Sequence, residues 1–472
     1  MTRWPVALAI TVLATSQAQA HAFGARYDLP LPLSLYLAAA GMAVAASFLG
    51  ALFFLRTGRA RPRHLDIPLP AKAGHAFSAM LGTAGLIVLA VLLGSAFFGP
   101  QEAMRNFATV WVWVIWWVGF VLFSALVIGL WPQIDPFRRL AAFSALATSR
   151  PWHDSAANLP SAAGLLAPAG LLAIGWIELA SDGPEDPHVV GLLVTVYLLV
   201  ALFGGLAFGE QWFRVADPLS RIFAVLGRVA PLAVISPTTV RVRPPGEGLL
   251  TRAAPVCGEV TLATGLIGIV LFDGLSETPV WGAVLDYVSN SQSLRPSLLW
   301  LRDQGADLIQ VIRTIGLLVT IAGFYGAYWV LMMVMKALVG DMFRIGHLAR
   351  AFAGTLLPIA VAYHLSHYVS YLLIAGQLIF PAASDPFGLG WDLFGTRNWS
   401  IDISVIGTRH IWWIAFTALI VGHALSVLVA HRLALELFKD ARRAALSQVP
   451  MTIAMVGLTV LSLWILSQPI TE

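Results

Sequence analysis

Residues 356–380 read LLPIAVAYHLSHYVSYLLIAGQLIF, and residues 411–432 read IWWIAFTALIVGHALSVLVAHR. Each stretch is long and apolar enough to cross a bilayer, which takes about 20 residues. Together they carry His364, His367, His423 and His431. An ionisable side chain at membrane depth is costly and marks a functional position by default. This pair sets the class of the molecule, and the rest of the chain agrees with it.

Hydrophobic residues make up 58% of the 472-residue sequence and charged residues 11%. A soluble domain carries about 25% charged residues, so the composition is that of an all-α polytopic membrane protein. The single cysteine, Cys257, excludes an intramolecular disulfide and any Cys-rich zinc or iron–sulfur centre. A net charge of +4 makes no case for nucleic acid. The expected partners are the lipid bilayer and further membrane subunits.

The first residues have the form of a secretory signal. Arg3 is the positive region, Val6–Leu13 the apolar core and Ala18-Gln19-Ala20 a small-x-small cleavage site. Cleavage after Ala20 makes residues 1–20 a signal peptide and His21 the mature N-terminus. Ten further stretches are expected to span: 33–55, 76–98, 108–131, 161–180, 188–209, 258–275, 307–337, 351–380, 411–435 and 449–468. Arg and Lys concentrate in alternate loops, among them Arg56, Arg59, Arg138, Arg139, Arg241, Arg243, Arg442 and Arg443. By the positive-inside rule those loops face inward, so both termini lie outside.

Residues 21–472 form one transmembrane domain, with a candidate division into halves 21–235 and 258–472 at the Pro/Gly-rich inner loop 236–257. Leu219–Ile235 reads as an amphipathic helix on the inner surface. No internal repeat is evident, and no P-loop, dinucleotide fingerprint, HExxH or GxSxG motif is present.

His364 and His367 share a helix face, being three residues apart. Counted from the outer ends of their spans, His367 and His423 lie at similar depth, roughly 18–20 Å down at 1.5 Å per residue. His364, His367 and His423 are therefore expected to bind a divalent metal with an open coordination position, copper or zinc. One histidine from each helix on a haem b iron is the alternative, and helix glue through Ser366, Tyr363, Tyr368 and Ser426 or a proton relay are others. His431, beside Arg432, reads as interfacial.

His21 is a separate metal candidate, since its amine and imidazole form a chelate that suits copper. Glu178, Asp273, Glu277 and Arg313 lie near the outer membrane edge. Arg313 is placed to pair with Glu178 or Asp273, or to meet an anionic ligand such as a phosphate oxygen. Asp385, Asp392 and Asp402 are expected to cap helices or hold a cation in a loop that Gly388, Gly390 and Gly395 turn tightly. The aromatics of residues 111–120 are explained by lipid contact and packing, with a stacking site for an aromatic ligand or porphyrin as the sharper reading.

Several motifs occur in a familiar order: HAFGARYDLPLPLSLY, VWVIWWVGF, GWIEL, FDGLSETPVW, PIAVAYHLSHY, SDPFGLGWDLFG, GHALSVLVAHRLAL and SQVPM. Over nearly its whole length the chain resembles the bacterial fenitrothion hydrolase-like membrane proteins. The resemblance implies an inner-membrane hydrolase of organophosphate triesters. In it His364, His367 and His423 would bind metal, a water would attack phosphorus, and Arg313, with Glu178 and Asp273 near it, would steady the developing charge. Two stretches depart from the family. Val215-Ala216-Asp217 stands where relatives tend to carry Gly-Glu, and His431-Arg432 where they tend to show His-Asp. A b-type redox subunit and a metal transporter or assembly factor are the rival functions.

Overall fold

A computed structural model describes residues 32–54, 64–147, 152, 159–251 and 256–468. The proposed signal peptide and His21 lie outside the described residues. Among the described residues, ten helices are long and apolar enough to cross a membrane, at the places the hydropathy indicates. They are α1 (Leu33–Phe54), α2 (Ala71–Phe98), α3 (Phe107–Leu126), α5 (Leu166–Leu179), α6 (Pro187–Phe208), α8 (Glu259–Ser276), α9 (Leu308–Val339), α10 (Leu357–Ala375, within the longer span Ile345–Ser384), α11 (Thr408–Phe438) and α12 (Ala441–Leu466). Shorter helices interrupt the series, among them α4 (Pro136–Ala147) and α7 (Pro218–Leu226). Large apolar side chains remain exposed on the spans, for example Ile87, Phe203, Val319 and Ile453. A bilayer covers such a belt. The chain is a multi-pass membrane protein.

The spans alternate in direction, so the loops fall at two ends. One end carries residues 99–106, 180–186, 277–307 and 385–407. The other carries most of the arginines and a four-stranded sheet. Its strands are β1 (Leu65–Pro68), β2 (Ile128–Gly129), β3 (Leu232–Ser236) and β4 (Thr239–Val242), in the order β1-β4-β3-β2. β1 and β3 flank β4 antiparallel, and β2 runs parallel to β3. The bidentate pair Arg241–Asp66, at 2.7 and 2.8 Å, joins the first arginine-rich loop to the third. The stretch expected to be a plain loop over 236–257 thus begins as a hairpin, because Val234, Val240 and Val242 alternate and pair across strands.

The expected surface helix is also different. α7 stops at Leu226 and is largely buried, Ala224 being its exposed residue and even Arg221 only 6% exposed. It packs against α5 and the end of α3. Asp217 caps it by accepting from Ser220 N at 2.8 Å, and Pro218 opens it. α4 is built the same way: Asp135 accepts from Phe137 N and Arg138 N, at 3.0 and 3.1 Å, with Pro136 at its start. Each Asp-Pro helix follows a hairpin of spans, α2–α3 and α5–α6, and each is preceded by a tryptophan, Trp131 and Trp212. α4 leans on α6, and α7 on α3. The chain therefore contains a repeat of two spans plus an Asp-Pro helix.

α8 and α10 are the most buried of the described spans. α10 and α11 run antiparallel in close contact. Ser366 Oγ donates to Ala415 O at 3.0 Å, and Ser426 Oγ donates to Thr355 O. Between these contacts Gly422 touches the Pro358–Ala362 turn so closely that a Cβ there would lie 2.3 Å from the Ala362 Cβ and 2.7 Å from the Pro358 carbonyl oxygen. We expect Gly422→Ala to force the helices apart and cost about 1–3 kcal/mol, read as a lowered thermal midpoint in detergent. Gly457→Ala, with nothing within 4 Å of its Cβ, should leave the midpoint in place.

Candidate metal centre

The register of α10 on α11 decides which histidines can meet. Ser366 lies level with Ala415, and Gly422 with residues 358–362. His423 therefore sits about two turns, roughly 11 Å, further toward the sheet end than His367. Counting depth from the apolar ends fails to show this offset. α10 continues past Ala375 through a turn of 3₁₀-helix and the short helix Ile379–Ser384, so its apolar stretch outruns the helix that packs on α11. His423 is fully buried, and its Nδ1 donates to Leu419 O at 2.7 Å. Its Nε2 has no hydrogen-bond partner among the described residues.

His367 turns instead toward α8. Its Nε2 lies 3.0 Å from Asp273 Oδ2, with both side chains buried. Tyr368 OH donates to the same carboxylate oxygen. Glu277 follows Asp273 by one helical turn and lies on the same face. Ligand atoms of Asp273, Glu277 and His367 all fall within 4.8 Å of one another, a spacing that can hold a metal ion. Gly274 makes room for this. A Cβ there would lie 2.8 Å from Tyr363 OH and 3.7 Å from His367 Cε1.

Glu178, at the end of α5, is the third carboxylate of this corner and interacts electrostatically with Asp273 and His367. Its Oε2 accepts from Trp117 Nε1 at 2.8 Å. Trp117 belongs to an 11-residue π-helical stretch, Val110–Phe120, inside α3. Such i→i+5 segments are rare and gather at functional sites. His364 lies one turn below His367, with its ring centroid 4.7 Å from that of Tyr368. With Trp117, Glu178 and Tyr368 it lines a cavity of about 30 Å³, and its buried Nε2 has no partner among the described residues.

The expected set thus divides. His367 and Asp273 come together, with Glu178 close by, while His364 and His423 stand outside the group of three ligand atoms. Arg313 is at the same end of the bundle, next to Thr314, which accepts from Trp176 Nε1 at 2.9 Å. The partners shown for Glu178 and Asp273 are Trp117, His367 and Tyr368 rather than Arg313. In the sequence Glu277 reads as one of the charged groups near the outer membrane edge, without a role of its own. Its spacing of four from Asp273 was the available signal. Asp385, Asp392 and Asp402 accept from backbone amides of their own loop, and Gly388, Gly390 and Gly395 have positive φ, as tight turns require. No family model matches the chain, and neither a curated protein nor a solved structure does.

A second acidic pair lies at the sheet end. Asp135 and Asp217 are 2% and 1% exposed. Ser220 Oγ bridges toward Asp135 Oδ2 at 3.3 Å, and Tyr197 OH donates to Asp217 Oδ2 at 2.6 Å. Burial, reinforced by the nearby Asp217 charge, pushes Asp135 up from 3.8 to about 7. Burial also raises Asp217. A raised carboxyl favours the folded state when protonated. Its contribution is complete below the ordinary carboxylate value and is lost as pH rises through about 7. We therefore expect the thermal midpoint to fall between about pH 5 and about pH 8. Asp135→Asn, which still caps α4, should flatten that fall. An unchanged slope in the variant would remove Asp135 as its source.

Proposed function

We propose that this chain is an inner-membrane metal protein in which Asp273, Glu277 and His367 hold a divalent cation, with the site reached from the outer, periplasmic side. The observation that carries the reading is the convergence of three ligand atoms within 4.8 Å at the end of α8. Three carboxylates and one imidazole share this corner, since Glu178 adjoins the group. Acid gathered in an apolar interior stays ionised only beside compensating positive charge, and a divalent cation supplies it. Two carboxylate donors and one imidazole fit zinc better than copper. The cavity of about 30 Å³ beside His364 has room for a water and none for a porphyrin, which favours an ion over haem.

A divalent cation in such a site acts as a Lewis acid and lowers the pKa of a coordinated water. Around it, the chain's own groups have separable roles. Tyr368 and His367 fix the Asp273 carboxylate. Trp117 holds Glu178 by one oxygen and leaves the other to take a proton. These roles support a hydrolase, and the resemblance to fenitrothion hydrolase-like proteins makes an organophosphate triester its substrate class. Arg313, at the same end, is available to an anionic product.

The arginine-rich sheet end faces the cytoplasm in this reading. Cys257 is exposed at that end and is the sole cysteine. A membrane-impermeant maleimide should label it only after spheroplasts are permeabilised, and labelling of intact spheroplasts would reverse the orientation. For the centre itself, we expect detergent-purified protein to bind zinc at one equivalent. Asp273→Asn and His367→Gln should lose at least ten-fold in affinity, in line with the loss of a ligand or its orienting partner. His423→Ala should retain it. Equal zinc content in all four proteins would refute the assignment, and phosphotriester turnover that ignores Asp273→Asn would refute the hydrolase.

A further inference from the structure

The connection between α8 and α9 is a hairpin of two short helices, Pro279–Asn290 and Arg295–Asp303. Its depth is set by the spans it joins. Gly268 on α8 lies against α9, where a Cβ on it would come within 3.1 Å of the Ile321 Cα. Ser276 is as far past Gly268 as residue 313 is before Ile321, so the end of α8 stands level with residue 313. Trp281 sits lower still, since a Cβ on Gly316 would lie 2.3 Å from its ring. It also meets Phe272 edge-on at 5.3 Å. α9 exposes Ile309, Ile315 and Val319 at these levels. The root of the hairpin is therefore inside the apolar belt. Its far end rejoins α9 at Leu308, about 7 Å above residue 313, which is within the thickness of a headgroup layer.

Trp281 holds the first helix by one edge. The adjoining stripe, Val280, Val284 and Tyr287, is exposed, Tyr287 at 71%. Asp286, Ser289 and Asn290 face away from that stripe. The second helix contains no buried residue. Leu294, Leu298 and Leu301, four and three residues apart, form its apolar stripe. Arg295 and Arg302 flank the stripe on one side, and Trp300, 62% exposed, on the other. Arg295 forms no ion pair among the described residues, and Arg302 forms an exposed one with Asp303 at 3.3 Å. An exposed pair neutralises little. A helix with an apolar stripe edged by arginines and an indole lies flat in a membrane interface, where guanidinium groups meet phosphates and the ring sits at the acyl boundary. The bilayer that covers the belt of α9 reaches this hairpin without a break, and its anionic lipids complement the two arginines.

We propose that the hairpin Pro279–Asp303 is an anchor lying in the outer leaflet, with Val284 and Leu298 against acyl chains and Arg295 and Arg302 on lipid phosphates. Neither helix contributes a ligand to the Asp273 corner, so the anchor holds with or without a metal there.

The test uses the full-length protein, on a Cys257→Ser background, in nanodiscs of phosphatidylcholine and phosphatidylglycerol. Spin labels are placed by Val284→Cys and Leu298→Cys, with Asp286→Cys as the water-side reference. We expect dissolved oxygen, relative to a water-soluble nickel chelate, to relax the first two labels about three-fold more than the third. Nickel exposure equal to that of the reference would overturn the proposal. Shielding from both relaxants would also overturn it, because protein, such as a second copy, would then cover the stripe. Native mass spectrometry of the detergent-purified protein titrated with dioleoylphosphatidylglycerol supplies an independent readout. Arg295→Gln and Arg302→Gln should each weaken lipid binding about five-fold, and inorganic phosphate should not compete. Unchanged binding in the double variant, or full competition by inorganic phosphate, would sink the lipid assignment.

Discussion

The contact between α10 and α11 at Gly422 governs the rest of the interior. Without a hydrophobic force between helices in lipid, spans associate where small residues let backbones approach and where polar groups cross-link them. Gly422, Ser366 and Ser426 do both along one seam. The seam fixes the register, and the register turns His367 toward α8 while leaving His423 two turns deeper. Once His367 faces α8, Asp273 has a partner for its charge, and Gly274 beside it can only be small. A change at a glycine that touches no chemistry would therefore move the donors of the candidate centre relative to one another.

Asp273 illustrates why that constraint matters. A carboxylate three residues inside the end of a span keeps its place only if its oxygens are engaged. Here one oxygen takes both the His367 imidazole and the Tyr368 hydroxyl. The same two residues stand on α10, so the carboxylate also ties α8 to α10. Site and packing are one structure in this corner. The corner adds two further acids, Glu277 and Glu178, beyond what gluing helices together requires, and it is these that the proposed cation would bind or adjoin.

Much of this architecture was legible in the sequence, and the limits have physical causes. Length and hydropathy locate all ten spans, because a bilayer imposes a minimum apolar run on every one. His367 and Asp273 stand out in the sequence for the same reason, since ionisable groups inside such runs are few. Their pairing was not. Hydropathy carries no information about helix rotation or axial offset, so the count from the span ends put His423 level with His367 when the glycine contact displaces it. Glu277 was obscured by lying just past the apolar run, where charges are ordinary. The sheet was hidden because its strands are short and come from three separate loops.

The repeat shows a further kind of information that residue-by-residue reading passes over. Trp131 and Trp212 each precede an Asp-Pro helix start; α4 packs mainly on α6, and α7 on α5 and the end of α3. Pro136 and Pro218, at the starts of these helices, stand at the sheet end of the gap between the two hairpins. That gap is a Trp-lined cavity. Its position follows from the topology, and its aromatic walls follow from the π-helical stretch. Along Val110–Phe120 the i→i+5 bonding adds one residue to each hydrogen-bonded turn, so the residues that share a face of α3 differ there from those an α-helix would align. Trp117 reaches Glu178 while its neighbour Trp116 stays in the cavity wall. The same local distortion thus serves the acid corner on one side and the apolar chamber on the other, which gives a physical reason for so unusual a helix to persist in a membrane span.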